Sequence, residues 1–493
     1  MKKLMLLTGV LAFFIFSCND PPSEDPPDFW AQNLSNEEFY GVYAELLYTG
    51  TRCNVWVEKG SASYEDAKKV ANEYDTKIYQ KMLDNFGVTL TDSEGSFTNI
   101  EAADFLGDDD GKLCILLLDI KDDYNGTTNL AYTAGYFWPN DLLRNHSRSN
   151  NRDMIYIDTN PGLSSKPKDT YATLAHEMQH MMNFATTIFV RSVINSQGQI
   201  TSLNLMDTWI DEGLASAAEW VYLKDNTNDG HSNGRVSYYN NNPSKLIDRG
   251  NNFFVWGNRT NDYKNAVLDD YATVYLFFQW LRIHANNNTN NIYANIIGSK
   301  KSSYDAVTEE FNKLVSGYSD WSKLLETWLA ANRIMNSATN SIYGYKNETT
   351  INTIKAPYAP ITSGNPPTAI TSFQLYPGEG VYSQATTNPN KTSSGNIQYS
   401  YLANSSVSST WSSSGDLLTF NKNTALTATT ESGDTTGAGT NINTNVQEIS
   451  EGRYIQASNE LIRLDAGDML RRNGNVNRFI SGNPLPDMTR RIR

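Results

Sequence analysis

Residues 173–184 read Thr-Leu-Ala-His-Glu-Met-Gln-His-Met-Met-Asn-Phe. They belong to a predicted helix at about Asp169–Ala185, on which His176 and His180 lie one turn apart on the same face. Two imidazoles so placed can bind one metal ion, and zinc prefers such nitrogen ligands in tetrahedral sites. Glu177 projects beside them, where its carboxylate can take a proton from a water that the metal activates. The chain has five histidines, so this pattern rarely arises by chance; the structural alternative is a buried amphipathic helix with incidental histidines.

A third metal ligand must come from elsewhere in the chain. The zinc site that continues with a glycine and a third histidine downstream is excluded, because Asn183 and Thr186 occupy those positions. The next histidine, His231, lies in a loop rich in Gly, Asn and Asp, where we expect a solvated side chain. The sequence therefore predicts a carboxylate ligand, and Glu212 is the first candidate, near the start of a second amphipathic helix at about 207–224.

Three other acids lie on the same predicted helix as Glu212. Asp207 is better placed as the N-cap, and Asp211 points to a different face, although both are rival ligands. Glu219 lies two turns beyond Glu212 on the same face, where it either orients a ligand histidine or forms an ion pair on the helix surface.

Strands precede helices along the chain, which predicts an α+β fold. The first helix is expected from Tyr64 to Phe86, with Ser63 as N-cap, Asp66 completing a capping box and Gly87 as the stop. The predicted strands are Arg52–Val57, Lys112–Ile120, Ala131–Trp138 and Met154–Asp158. The later helices are expected near Asp269–Ala285, Tyr304–Val315 and Trp321–Ile334.

Several segments together resemble the hyicolysin family of zinc metallopeptidases, within the thermolysin-like gluzincins. They are residues 173–184, the segment DTWIDEGLASAAEW at 207–220, GYFWPNDLL at 135–143, MIYID at 154–158 and DDYATVYLFFQWL at 269–281. The resemblance covers roughly Arg52 to Ile334. It implies a mixed sheet packed on the helix with both histidines, then a helical subdomain, with one catalytic Zn²⁺ held by His176, His180 and Glu212, and Glu177 as the catalytic base.

Gluzincins also use a Tyr or His to stabilise the oxyanion. Tyr271 is the first candidate, with Tyr275 four residues on, and core packing is the alternative for both. His284, near a helix end, is expected to complement the helix dipole. Proteases with this site usually bind substrate along a sheet edge, for which we predict Tyr132–Trp138.

The N-terminus is typical of an exported bacterial lipoprotein. Lys2 and Lys3 precede an apolar run, residues 4–16, that is too short to span a bilayer. A small residue then precedes Cys18, which resembles a lipobox and predicts lipidation of that cysteine; ordinary cleavage beside an incidental Cys is the alternative.

Four regions are predicted: a signal peptide at 1–17, an acidic Pro-rich linker at 18–36, a metallopeptidase domain at 37–345, and a β-rich, partly flexible C-terminal region at 358–493. Cys53 and Cys114 lie in apolar strands, where each is expected to be a buried hydrophobe, with a disulfide as the alternative.

The net charge of −14 argues against nucleic acid as a partner. We expect an extracytoplasmic zinc endopeptidase that acts on proteins or peptides and is anchored to the bacterial envelope only through its lipid. The alternative is a lipid-anchored adhesin or binding protein on the same fold. An aminopeptidase is disfavoured, since the chain lacks the Gly-x-Met-Glu-Asn segment that such enzymes share. Calcium at Asp108–Gly111 is possible, but a solvated acidic turn is preferred.

Overall fold

The computed structural model describes most of residues 26–348 and short stretches beyond. The described ranges are 26–36, 38–93, 95–129, 132–143, 148–196, 200–224, 235–236, 253–254, 266–287 and 290–348, followed by 374–375, 378, 380–384, 393, 395–403, 415–424, 429–430, 453–457 and 460–462. The predictions for the signal peptide, for lipidation of Cys18 and for His231 lie outside these residues.

The main sheet has five strands in the order β3 (Ala44–Thr49), β4 (Cys53–Glu58), β7 (Leu113–Leu118), β10 (Met154–Asp158) and β9 (Gly135–Tyr136). The central strand β7 runs parallel to β4 and β10, while β3 and β9 are antiparallel edges. All six residues of β7 are buried, because both faces of the sheet are covered. The mixed sheet with helices confirms the predicted α+β class.

Alternation along the strands divides the core into two layers. On one face, Ile115 and Ile157 pack with the helices, and on the other face Leu116 packs with the N-terminal hairpin. Cys53 belongs to the helix face and Cys114 to the hairpin face, so the two sulfurs lie on opposite sides of the sheet. Both cysteines are free and buried, and the alternative of a disulfide between them is wrong.

The described residues include nine α-helices of at least seven residues. They are α1 (Tyr64–Glu73), α2 (Tyr79–Phe86), α3 (Asn99–Leu106), α4 (Pro167–Val190), α5 (Thr208–Leu223), α6 (Ala266–Ala285), α7 (Ile292–Gly298), α8 (Tyr304–Leu314) and α9 (Trp321–Ile334). The capping box of Ser63 and Asp66 is present at the start of α1. The predicted helix over 64–86 is continuous but contains one π-helical segment, Tyr74–Ile78, between α1 and α2.

Shorter strands complete the described structure. They are β1 (Phe29–Gln32), β2 (Phe39–Val42), β5 (Thr89–Thr91), β6 (Ser96–Thr98), β8 (Tyr132–Thr133), β11 (Ser192–Ile194), β12 (Ile200–Leu203), β13 (Gln374–Leu375), β14 (Gly380–Gln384), β15 (Ile397–Ala403), β16 (Gly415–Asn421), β17 (Thr429–Thr430), β18 (Arg453–Ala457) and β19 (Glu460–Ile462). Strand β1 lies inside the predicted linker at 18–36, and its Phe29 is buried against the sheet. Leu418 and Phe420 of β16 join the main helical core, so this part of the C-terminal region packs on the domain. No helix among the described residues is both long and apolar enough to cross a bilayer.

Candidate metal centre

Helix α4 is buried along nearly its whole length, and its buried residues include polar side chains as well as apolar ones. Pro167 occupies its first turn, where a missing N–H costs nothing. Gly135 allows β9 to approach the helix closely, since a methyl group there would lie 2.8 Å from Thr173 Cγ2. One turn beyond Thr173, His176 and Glu177 are fully buried, and His180 is 2% exposed.

Helix α5 brings Glu212 to the two histidines. Glu212 Oε2 lies 3.3 Å from His176 Nε2 and 3.7 Å from His180 Nε2. The centres of the two imidazole rings are 4.7 Å apart and the rings are at an angle of 74°, so they do not stack. Both Nε2 atoms face the Glu212 carboxylate. Each of the three residues offers one ligand atom within 4.8 Å of the others.

This spacing fits a zinc ion. Zinc bound tetrahedrally at 2.0–2.1 Å separates its ligand atoms by about 3.3 Å. The two distances from Glu212 to the histidines, 3.3 Å and 3.7 Å, lie close to that separation. Two imidazole nitrogens and one carboxylate oxygen are also the donor set of a catalytic zinc site, in which water takes the fourth position.

Carboxylates behind the histidines hold the rings in place. Glu219 Oε1 lies 2.8 Å from His176 Nδ1, and Asp211 Oδ2 lies 2.8 Å from His180 Nδ1. A carboxylate at Nδ1 favours the tautomer with its proton there, which leaves the Nε2 lone pair for a metal. Both acids are buried, so the hydrogen bonds are shielded from water.

A second layer of polar contacts supports these two acids. Asn183 Nδ2 donates to Asp211 Oδ1, and Arg191 Nη2 donates to Asn183 Oδ1 at 2.9 Å. Arg235 Nη2 lies 3.6 Å from Glu219 Oε1. The histidines are therefore oriented through side chains from α4, α5 and residue 235.

The comparison with known proteins agrees with this arrangement. The chain is similar to a metalloprotease. Over 296 residues, which make up 59% of this chain, it is 32% identical to the neutral metalloprotease ShpI of Staphylococcus hyicus. The alignment spans 58% of the length of that protein. No protein-family model matches the chain.

Among the predicted carboxylates, Glu212 meets the histidines and Asp207 does not. Asp207 is at the N-cap position, but its side chain accepts a hydrogen bond from Ser303 Oγ instead of capping α5. Asp211, the other rival ligand, lies behind His180 at its Nδ1 and not at the Nε2 side. Glu219 supports His176, as one of its two predicted roles required. The sequence signal for Asp211 was its position directly before Glu212, which did not reveal its partner.

Three other predictions concern residues near the centre. The guanidinium carbon Cζ of Arg235, which lies near Glu219, is 4.3 Å from the ring centre of Tyr271. The role of Tyr271 toward an oxyanion stays a prediction. Tyr275 is buried, and burial raises the pKa of its hydroxyl. His284 lies in the last turn of α6, as predicted, and its Nε2 donates to the Gly344 carbonyl at 2.8 Å. Burial lowers its pKa to about 4, which weakens a charge interaction with the helix dipole, so that role stays a prediction.

The predicted edge strand is interrupted. Tyr132 and Thr133 form β8, which pairs with Arg453 and Tyr454 of β18, while β9 forms the edge of the main sheet. The side chains of Tyr136 and Trp138 are buried on the hairpin face. Their side chains are therefore not available for contact with a substrate at this edge.

Proposed function

We propose that this chain is an extracytoplasmic, zinc-dependent endopeptidase. The observation that carries the proposal is the convergence of His176, His180 and Glu212 at the ligand spacing of a tetrahedral zinc ion. Similarity to a neutral metalloprotease supports the same chemistry.

In this proposal the residues of the chain divide the work of hydrolysis. Zinc held by the three ligands would supply a Lewis acid that lowers the pKa of a water and polarises the peptide carbonyl. Glu177, buried beside His176, would take the proton from that water on its carboxylate. The same carboxylate would then pass the proton to the leaving amine nitrogen. Glu219 and Asp211 would hold both imidazoles in the ligand tautomer.

The substrate is proposed to be a protein or peptide that adds to the edge formed by Gly135 and Tyr136. Backbone hydrogen bonds would hold it in this mode, which accepts many sequences. The contact of Gly135 with Thr173 places this edge beside the helix that carries the histidines. We also propose that lipid on Cys18 anchors the protein to the bacterial envelope, with its body outside the cytoplasm and without nucleic acid as a partner.

Metal analysis and cleavage of casein test the proposal. Protein lacking residues 1–18 should contain one zinc per chain, lose activity with a chelator and regain it with zinc. The Glu177→Gln variant should bind zinc and remain folded while losing roughly 10²–10⁴ in kcat. Glu310→Gln is the matched control. Glu310 is also buried, but it lies on α8, where it pairs with Lys313.

Peptides with blocked N-termini distinguish the type of peptidase. An endopeptidase cleaves them as fast as free peptides, whereas an aminopeptidase does not. The proposal would be overturned if zinc-loaded protein cleaved no peptide of a library, or if Glu177→Gln kept full activity. The adhesin would then be the better interpretation.

A further inference from the structure

Four aspartates lie near one another at the amino ends of the sheet's central strands, β7 and β10. Asp104 lies on the last turn of α3, Asp108 and Asp110 follow in the turn that leads to β7, and Asp153 directly precedes β10. Asp104, Asp108 and Asp110 each offer an oxygen within 4.8 Å of the other two. Asp153 joins them because β10 runs parallel to β7, and the Cys114 N–H donates to the Asp153 carbonyl at 2.9 Å.

Asp153 is the observation that distinguishes this cluster from a solvated acidic turn. Its side chain is 3% exposed, and within the described part of the chain its Oδ1 has no hydrogen-bond partner. The carboxyl groups of Asp108 and Asp153 are within hydrogen-bonding range of each other. Asp108 as a residue is partly exposed, but its Oδ1 is buried and, among the described residues, also has no hydrogen-bond partner. Two carboxylate oxygens buried so close together need a proton or a cation between them.

The charge around the cluster is not balanced. Among the described residues, one ion pair reaches the four acids, between Arg152 Nη1 and Asp108 Oδ2 at 3.4 Å. Hydrogen bonds hold some of the oxygens in place: Gly111 N donates to Asp104 Oδ1 at 2.9 Å, and Lys112 N to Asp110 Oδ1 at 2.8 Å. Burial and the neighbouring acids raise the pKa of Asp153, and mainly burial raises that of Asp104 to about 6. Among the described residues, the four acids therefore share one ion-pairing cation, and two of them, Asp104 and Asp153, are buried.

We propose that Asp104, Asp108, Asp110 and Asp153 form a calcium site that fastens the turn between α3 and β7 to the start of β10. The donors are all carboxylate oxygens, which suit a hard cation and exclude a zinc preference. Calcium takes six to eight oxygen ligands in flexible geometry, so four carboxylates and water can complete its shell, whereas magnesium demands a near-ideal octahedron. This proposal differs from the sequence-based expectation of a solvated acidic turn at Asp108–Gly111.

The test measures stability and calcium binding, and it does not depend on peptidase activity. Full-length protein is passed over a chelating resin. Its zinc content is measured before and after this step to verify that the histidine site has not lost its metal. Thermal unfolding is then followed with added CaCl₂ or MgCl₂. At calcium about a hundredfold above its Kd, Tm should rise by roughly 4 °C, and isothermal titration should give one additional calcium per chain.

Asp153→Asn and Asp104→Asn should abolish both the shift in Tm and the titrated site. Asp84→Asn, which changes an exposed acid on α2, should retain both. Without calcium, Asp153→Asn should be at least as stable as the parent, because it removes a buried charge, so a misfolded variant is recognised at once. Three results would overturn the assignment. The first is that calcium raises the Tm of Asp153→Asn as much as that of the parent, and the second is that calcium does not raise the Tm of the parent. The third is that magnesium raises the Tm of the parent as much as calcium does.

Discussion

Replacing Gly213 with Ala would test whether packing between two helices positions the metal ligand Glu212. Gly213 follows Glu212 on α5 and faces α6, where a methyl group would lie 2.4 Å from both Cδ2 and Cε2 of Phe278. Carbon atoms normally approach no closer than about 3.5 Å, so something must move by about 1.1 Å. Phe278 is fully buried among the rings of Trp209, Phe277 and Tyr293, so the helices have to separate.

The cost combines two opposing terms. Overpacking a filled core destabilises by about 1–3 kcal/mol, and the upper half of that range applies because the obstructing ring is enclosed. Alanine recovers up to about 1 kcal/mol through its helix propensity. We therefore expect the free energy of unfolding to fall by about 2 kcal/mol. A shift of α5 by about 1 Å would also move Glu212 from its 3.3 Å and 3.7 Å positions, weakening zinc binding by at least about tenfold.

Urea unfolding and competitive zinc titration measure the two effects. Gly298→Ala is the control, because a methyl group at the end of α7 would meet only the side chain of Val88, with Cγ1 at 3.2 Å and Cγ2 at 3.8 Å. This control should change stability by less than about 1 kcal/mol and leave zinc affinity unaltered. If Gly213→Ala kept the stability and zinc affinity of the parent, the idea that Phe278 sets the position of Glu212 would be refuted.

Three further predictions follow from buried polar groups and a helix cap. Glu219→Gln should weaken zinc binding about 10- to 100-fold in a competitive titration, because it removes the carboxylate that orients His176; unchanged affinity would rule out that role. Burial raises the pKa of Asp141 to about 7 and that of Asp158 to about 8, so the folded chain holds protons that the unfolded chain has released. Each group should therefore lower the free energy of unfolding as pH rises from about 4 to about 8, by up to about 1.4 kcal/mol per pH unit, and Asp141→Asn should flatten part of this slope in urea titrations. Ser63→Ala should cost about 1 kcal/mol in the same assay because it removes the N-cap of α1, and a change near zero would contradict it.

Local patterns were sufficient for much of the fold. The continuous apolar run at 112–120 correctly predicted a strand, and the capping box at Ser63 marked the start of a helix. The π-helical segment at Tyr74–Ile78 was missed because its residues keep a helical apolar pattern. Strand β1 was assigned to a linker because prolines and acids precede it, and only the sheet that covers Phe29 reveals its place.

The residues of the candidate site divide in the same way, into those predicted from spacing within one helix and those that depend on contacts between helices. His176 and His180 are four residues apart on one helix, so local geometry alone predicts that they share a face. Glu212 needed a further assumption, that a second helix packs beside the first. The partners of Asp211 and Glu219 depend on how α4 and α5 meet, which no spacing within one helix encodes.

The sheet register links the two proposed metal sites. Pairing Met154 with Cys114 turns Ile155 and Ile157 toward the helix layer that contains α4, and it also brings Asp153 to the acidic turn. A slip of one residue would turn both isoleucines to the hairpin face and shift Asp153 away from its cluster. Calcium bound there would therefore favour the register on which the packing of α4, and so the zinc ligands, depends. This coupling is a property of strand pairing between distant segments, which explains why the acidic turn read alone gave no sign of it.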